Sequence, residues 1–311
     1  MLSMYRTVGK TLIPVENDYN EGVWVHLSRP TEEELNIVAS HLDMDRDFLR
    51  AALDEEEAAR IEADNGQVLI LVDIPYVETV DSSYLYATMP LGIVMSETSI
   101  VTVCSRETQL IDDFVKGRIR DFDTFKKTRF ILQMLFRIAS RYLHYLRQID
   151  KASTGVEKQL HRSMKNRELI QMLQLEKSLV FFSTSLKSNE SVMEKMLKLG
   201  AVKKYPDDND LLEDVIIENK QAIEMCTIYR DILSSTMDAF ASVISNNLNI
   251  VMKFLAAVTI ILAIPTVIAS LWGMNTGVPF QGQAIGFWVV LGLAGTATGL
   301  ATYFMIKNKM L

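Results

Sequence analysis

The sequence predicts an α/β cytosolic domain followed by a long helical stalk and two C-terminal transmembrane helices. Three observations carry that prediction. Phe254 to Trp272 contains no charged residue and neither does Ala284 to Ile306; each is long enough to cross a ~30 Å hydrocarbon core, which takes a helix of ~20 residues. From Leu211 to Ile264 there is no glycine or proline, so one helix runs unbroken into the first span. Residues 1–120, by contrast, alternate strand and helix signals.

Taken in order, Gly22 to Ser28 reads as a strand. Thr31-Glu-Glu-Glu34 is a capping box opening a helix through Leu42. Val68 to Ile74 is β-rich and almost wholly apolar, the pattern of a central strand. Tyr84 to Met95, interrupted at Pro90, and Ser99 to Cys104 read as further strands, and Thr108 to Lys116 as a helix. From 124 to 200 apolar residues recur at helical spacing (Phe130, Leu135, Ile138, Tyr142, Leu146, Ile149), and a second run covers Leu169 to Leu199. These are two long paired helices with a break near residues 163–166. Lys203 to Asp210 is a linker, with Pro206 closing one element and Asp207 to Asp210 capping the next. The stalk continues through Pro265, since membrane helices tolerate proline. At 1.5 Å per residue its 61 residues from Leu211 make a rod of ~90 Å. Its apolar face needs its own domain or further copies to pack on.

The resulting division is an α/β domain (1–120), paired helices (121–205), the cytosolic stalk (206–250), a first transmembrane helix (251–272), an outer loop (273–283), a second transmembrane helix (284–306) and a basic tail (307–311).

A net charge of -7 and a pI near 5.3 argue against nucleic acid as a partner. The two cysteines, Cys104 and Cys226, suit a reduced compartment. His26, His41, His144 and His161 have no zinc-site spacing. The N-terminus lacks an apolar signal region, so no signal peptide is expected. Lys253 precedes the first span, Lys307 and Lys309 follow the second, and the intervening loop is uncharged. The positive-inside rule then places both termini in the cytoplasm and the loop outside.

On one face of the first span, Ser245, Asn249, Met252, Ala256, Thr259, Ala263, Thr266 and Ser270 follow steps of three and four. The stripe is small or polar except for Met252. Small residues let membrane helices approach, so packing is one reading; lining a pore is the other. One hairpin cannot enclose a pore, so a pore requires a homo-oligomer with each first span at the axis. Gly295-Thr-Ala-Thr-Gly299 in the second span is a small-xxx-small face expected to pack on the first span. The loop opens Gly273-Met274-Asn275. Gly273 and Asn275 also suit a helix end, because both tolerate left-handed backbone.

Gly-Met-Asn at the outer end of the first of two C-terminal spans, with a short loop before and a basic tail after the second, resembles the signature of the CorA family of divalent-cation channels. Ser245 to Leu255 is similar to that family's approach to the first span, and Pro265-Thr266 sits where the family has proline. Asp54 to Glu62 resembles a stretch of its soluble domain more loosely. The resemblance implies a funnel-shaped homopentamer in the inner membrane, conducting magnesium and also admitting cobalt or nickel. It implies a selectivity filter of Gly273, Met274 and Asn275, a polar ring at Asn249, a hydrophobic constriction at Met252 and Leu255, and a polar ring at Thr266. Thr259 and Ala263 fill the stripe between. It further implies regulatory magnesium bound between subunits, for which Asp214, Asp238 and Asp54 are the candidates; an ordinary solvated acidic face is the alternative for each. The outer loop lacks the acids many family members carry there, and Trp272 stands where tyrosine is frequent.

Magnesium holds its waters tightly, so an uncharged ring of asparagine side chains and glycine carbonyls can serve it through its hydration shell. A divalent cation crossing ~100 mV inward gains ~4.6 kcal/mol, at ~2.3 per charge. No Walker-type loop is present, no organic cofactor is implied, and nothing forms a catalytic constellation. A zinc transporter on the same scaffold, and a membrane-anchored helical scaffold without transport, are the competing readings.

Overall fold

The structure, a computed structural model, describes residues 1–80, 83–163, 166–198, 206–280 and 282–308. The chain divides into two compact units, Met1–Thr236 and Met237–Leu311.

The first unit is built on one seven-stranded sheet. Its strands are β1 (Leu2–Val8), β2 (Thr11–Pro14), β3 (Val23–Ser28), β4 (Arg60–Asp64), β5 (Gln67–Val80), β6 (Ser83–Met95) and β7 (Ile100–Cys104), in the order β2-β1-β3-β7-β6-β5-β4. β3 and β7 run parallel and every other neighbouring pair is antiparallel. Period-two alternation sends Val25 and Leu27 to one face and Trp24 and His26 to the other.

The first face is covered by α1 (Glu32–Leu42) and α2 (Arg46–Ala51). Leu35, Val38 and Leu49 pack there with Val25, Leu27, Leu69, Leu71, Val101 and Val103. The capping box expected at α1 is present: the Thr31 hydroxyl accepts from the Glu34 N–H at 3.2 Å, and the Glu34 carboxylate accepts from the Thr31 N–H at 3.0 Å. Gly92 on β6 lets α2 lie close, since a Cβ there would stand 2.8 Å from that of Ala52.

The second face meets α3 (Gln109–Val115), α4 (Lys127–Ser163) and α5 (Asn166–Lys198). Trp24 holds edge-to-face contacts with Phe114, Phe122 and Phe130. Further along, Tyr142 of α4 meets Phe182 of α5 at 5.0 Å between ring centroids. The two long paired helices are therefore as expected. Residues 164–165 of the proposed break and 199–205, which include the start of the proposed linker, lie outside the described residues, as do Gln281 of the outer loop and 309–311 of the tail.

Four features differ from the sequence expectation. β5 is an interior strand, but the middle position belongs to β7. β6 is not interrupted at Pro90. Pro90 sits one residue beyond the β7 ladder, which ends at Leu91–Cys104, where a missing N–H breaks no pairing. Opposite it, Asp73 has both backbone groups taken by the fully buried Asn189: its N–H donates to Oδ1 and its C=O accepts from Nδ2, each at 2.8 Å, with the Tyr142 hydroxyl donating to the same C=O at 3.1 Å. Pro206 opens α6 (Pro206–Trp272) instead of closing the element before it. The first turn of a helix asks no N–H of proline and uses its preset φ. The strands β1, β2 and β4 and the short helix α2 were not anticipated.

In the second unit, Met237 to Trp272 of α6 is followed by α7 (Ala284–Lys307). Both helices are long and apolar enough to cross a membrane. Ala257 is fully buried, and Ile261, Ile264, Pro265 and Ile268 are half-buried on the same side of α6. Pro265 and the α7 residues Ala294, Gly295, Thr298, Gly299 and Thr302 line one open cleft. The less exposed residues of α7 beyond Gly286 are Val290, Ala294, Ala297, Thr298, Ala301, Thr302 and Met305. Gly295 and Gly299 are exposed, and a Cβ on either would meet nothing within 4 Å. The small-xxx-small face expected to pack on the first span thus borders it across that cleft, without close contact at either glycine. Gly286 is a required glycine: a Cβ there would stand 2.8 Å from the Phe280 carbonyl oxygen as the loop folds back on α7.

Removing the Asn189 amide leaves a buried peptide N–H without a partner. Asn189→Ala is expected to destabilise the protein by ~1–3 kcal/mol, read as a lower Tm of the full-length protein in detergent. In the same measurement, Ala257→Leu overpacks the α7 contact and should cost ~1–3 kcal/mol.

Candidate functional site

The stripe singled out in the first span lies on the side of α6 away from α7. Asn249, Met252, Ala256, Thr259, Ala263, Thr266 and Ser270 are all exposed in the single chain. At ~100° per residue they sit roughly half a turn from Ala257, Ile261 and Ile268. Met252 and Leu255 are 55% and 56% exposed. These small and polar residues therefore do not serve the packing of α6 on α7.

The two threonines have a defined polarity. Thr259 Oγ1 donates to the Leu255 C=O at 2.8 Å, and Thr266 Oγ1 to the Leu262 C=O at 3.0 Å. With the hydroxyl proton directed along the helix, each oxygen keeps its lone pairs for a donor arriving from outside. The hydrogens of a hydrated cation's water shell are such donors.

At the outer end, α6 stops at Trp272, and the Gly273 N–H still closes a helical turn on Ala269 at 2.9 Å. Neither Gly273 nor Asn275 adopts a positive φ; in this loop the left-handed positions are Phe280 and Gly282. A left-handed helix end is therefore not the reason for glycine and asparagine in Gly273-Met274-Asn275. All three residues are exposed, Met274 at 50%.

The three candidate regulatory carboxylates are also exposed. Asp54 is partly engaged, its Oδ1 accepting from the Glu56 N–H at 3.0 Å. Asp214 and Asp238 lie on α6, where the backbone C=O of Asp238 also accepts from the Ser242 hydroxyl at 3.0 Å. None of the three is in an ion pair among the described residues, where no three His, Cys, Asp or Glu side chains gather into a metal-binding group. One chain does not bring these acids together.

The remaining reactive side chains are absorbed by the fold. His26 bonds Thr102 at 2.9 Å, and burial holds its pKa down to about 4. His41 stacks on Tyr19, His144 meets Gln148, and the side chain of His161 lies outside the described residues. Burial pushes the Cys104 and Cys226 thiols up to about 11, and neither forms a disulfide.

Comparison with known proteins places this arrangement. A cobalt/magnesium transport protein CorA from Methanocaldococcus jannaschii is 27% identical over 281 residues, covering 87% of this chain and 86% of its own length. The complete structure of the CorA magnesium transporter from the same organism superposes with a TM-score of 0.84 at 24% identity, covering 98% of this chain and 97% of that one. The full-length CmaX protein gives a TM-score of 0.70 at 14% identity, covering 98% and 96%. At these identities the two structures speak for the fold alone. Residues 19–307 match the family described as CorA-like Mg2+ transporter protein, a span that takes in β3 to β7 of the sheet, the paired helices and the whole of α6 and α7: the chain is a member of the CorA-like Mg2+ transporter family.

Proposed function

We propose that the protein is a homopentameric channel of the inner membrane through which magnesium enters the cell passively, drawn by the membrane potential. The observation that carries this reading is the exposed stripe on α6, opposite its contact with α7 and running out to Gly273-Met274-Asn275, in a chain of this family. A polar stripe in hydrocarbon needs cover, and further copies of the chain around an axis provide it. Both termini then lie in the cytoplasm and the loop outside, as the lysines at the span ends favour. The name of the M. jannaschii relative supports magnesium and cobalt as the transported ions.

In this reading each stretch of the stripe has a task. Asn275 side chains and Gly273 carbonyls form an uncharged filter that hydrogen-bonds the ion's water shell, so magnesium need not be stripped of water to enter. Met274 stands between them. Thr266, Ala263 and Thr259 line the middle, where the threonine oxygens accept from the same shell. Leu255 and Met252 form an apolar constriction that closes by excluding water, and Asn249 forms the inner polar ring. Asp214, Asp238 and Asp54 hold magnesium between neighbouring chains. Facing carboxylates repel when the ion is scarce and are bridged when it is plentiful, so the ion biases the interface that governs its own passage.

The test is magnesium flux into proteoliposomes of the full-length protein under an inside-negative potential, at low internal magnesium. Asn275→Ala should reduce wild-type flux by about tenfold or more, since every copy loses its hydrogen bonds to the hydrated ion. Folded wild type that passes zinc but not magnesium would move the reading to a zinc transporter on this scaffold; one that passes no cation would move it to a scaffold without transport. Raising internal magnesium should then close wild type, while Asp214→Asn should need a several-fold higher concentration. Equal sensitivity in the two would remove Asp214 from the regulatory site.

A further inference from the structure

The first unit contains a cleft, unrelated to the stripe or the acids, between two loops. One loop is the β1–β2 turn, Gly9-Lys10, with Gly9 at φ +68°. The other follows α3, from Gly117 at φ +66° to Lys126 before α4. The space between them is about 790 Å³, within the range of small-ligand sites. Its apolar lining includes Phe114 and Phe122, which meet edge-to-face at 5.1 Å; Phe122 is half-buried and so keeps ring surface toward the opening.

The rim is basic. Lys10, Lys116, Arg120 and Lys126 all line it. Lys116 pairs with Asp112 at 2.7 Å, but Lys10, Arg120 and Lys126 have no ion pair among the described residues. Two acids also line the cleft. Asp123 is engaged, its Oδ1 accepting from the Phe125 N–H at 3.0 Å, and Asp121 is exposed at a left-handed position. In a chain of net charge -7, three uncommitted cations around one concave site are a concentration of positive charge against the general trend.

The walls are held in place without a ligand. Thr7 and Thr124 exchange reciprocal bonds, each backbone N–H donating to the other's hydroxyl at 3.1 Å, which ties β1 to the second loop. Gln133 Nε2 donates to the Arg120 C=O at 3.1 Å. Asp113 takes Arg118 at 2.9 Å and Arg141 at 2.8 Å, fixing the end of α3 against α4. A preformed basic rim over an aromatic floor suits a ligand with a polyanionic end and a planar ring.

We propose that this cleft binds a nucleotide, with its phosphates among Lys10, Arg120 and Lys126 and its base against Phe122. The proposal does not depend on the transport reading, and its test reads binding only. Equilibrium dialysis of labelled ATP against the full-length protein in detergent, in magnesium-free buffer, should show saturable binding of one ATP per chain. Arg120→Glu/Lys126→Glu should weaken it by about tenfold or more, with Tm unchanged. The control Lys195→Glu/Lys198→Glu, which makes the same charge change on an exposed part of α5, should leave it unaltered. Tripolyphosphate and adenosine should each bind more weakly than ATP. Absence of saturable binding to folded wild type, equal loss in the control, or tripolyphosphate binding as tightly as ATP would overturn the proposal.

Discussion

The constraint on which most of this structure depends is that a helix in hydrocarbon has no water to satisfy polar groups on its surface. Along α6 the apolar residues Ile261, Ile264 and Ile268 face α7, so the partner within the chain covers the side that least needs covering. The side bearing asparagine and threonine is left without a partner from its own chain. A hairpin so arranged is complete in its backbone hydrogen bonds and incomplete in its surface. The incompleteness has a direction, and that direction is the observation on which the proposed assembly of further copies rests.

The first unit solves a different problem, joining long helices to a sheet with few accidental polar losses. Helices and strands meet mostly through apolar side chains, but at Asp73 a strand's peptide group is taken up by a side chain of α5. An asparagine amide reproduces the donor and acceptor of a peptide, so Asn189 caps the sheet where β4 and β7 have ended. The same logic recurs at Tyr86, whose N–H donates to the Ser178 hydroxyl at 3.2 Å, and at Ser185, which bonds Thr88 at 2.9 Å. These polar ties set the register between α5 and the β5–β6 hairpin, which apolar packing alone would leave free to slide.

Much of this was legible from residue order. The spans, the unbroken stalk, the paired helices and the Thr31–Glu34 capping box are local signals with one physical meaning each. The missed elements share a reason. β2 and β4 are short edge strands with exposed residues, Thr11–Pro14 and Arg60–Asp64, so neither alternates in hydropathy; α2 has only six residues, too few to show a helical period. Pro90 looked like a break because its effect depends on where β7 ends, which no local pattern encodes. In the hairpin, the residue types of the stripe were readable, but its orientation was not. Gly295-xxx-Gly299 is a stronger sequence signal for packing than Ala294 and Ala297, yet the latter pair is the less exposed. The basic cleft had no signal at all, because Lys10 and Arg120 are brought together only by the sheet.

The threonines of α6 have one further consequence. A hydroxyl whose proton is already committed to its own helix can accept but cannot donate. Along that face, Thr259 and Thr266 therefore present negative dipole ends only. In the proposed pore, chloride at those two levels would find no hydroxyl hydrogen to replace those of its waters, while the shell of a cation would find an acceptor at each. Two neutral side chains can thereby discriminate by sign of charge, through nothing more than the way a helix backbone fixes the torsion of a hydroxyl.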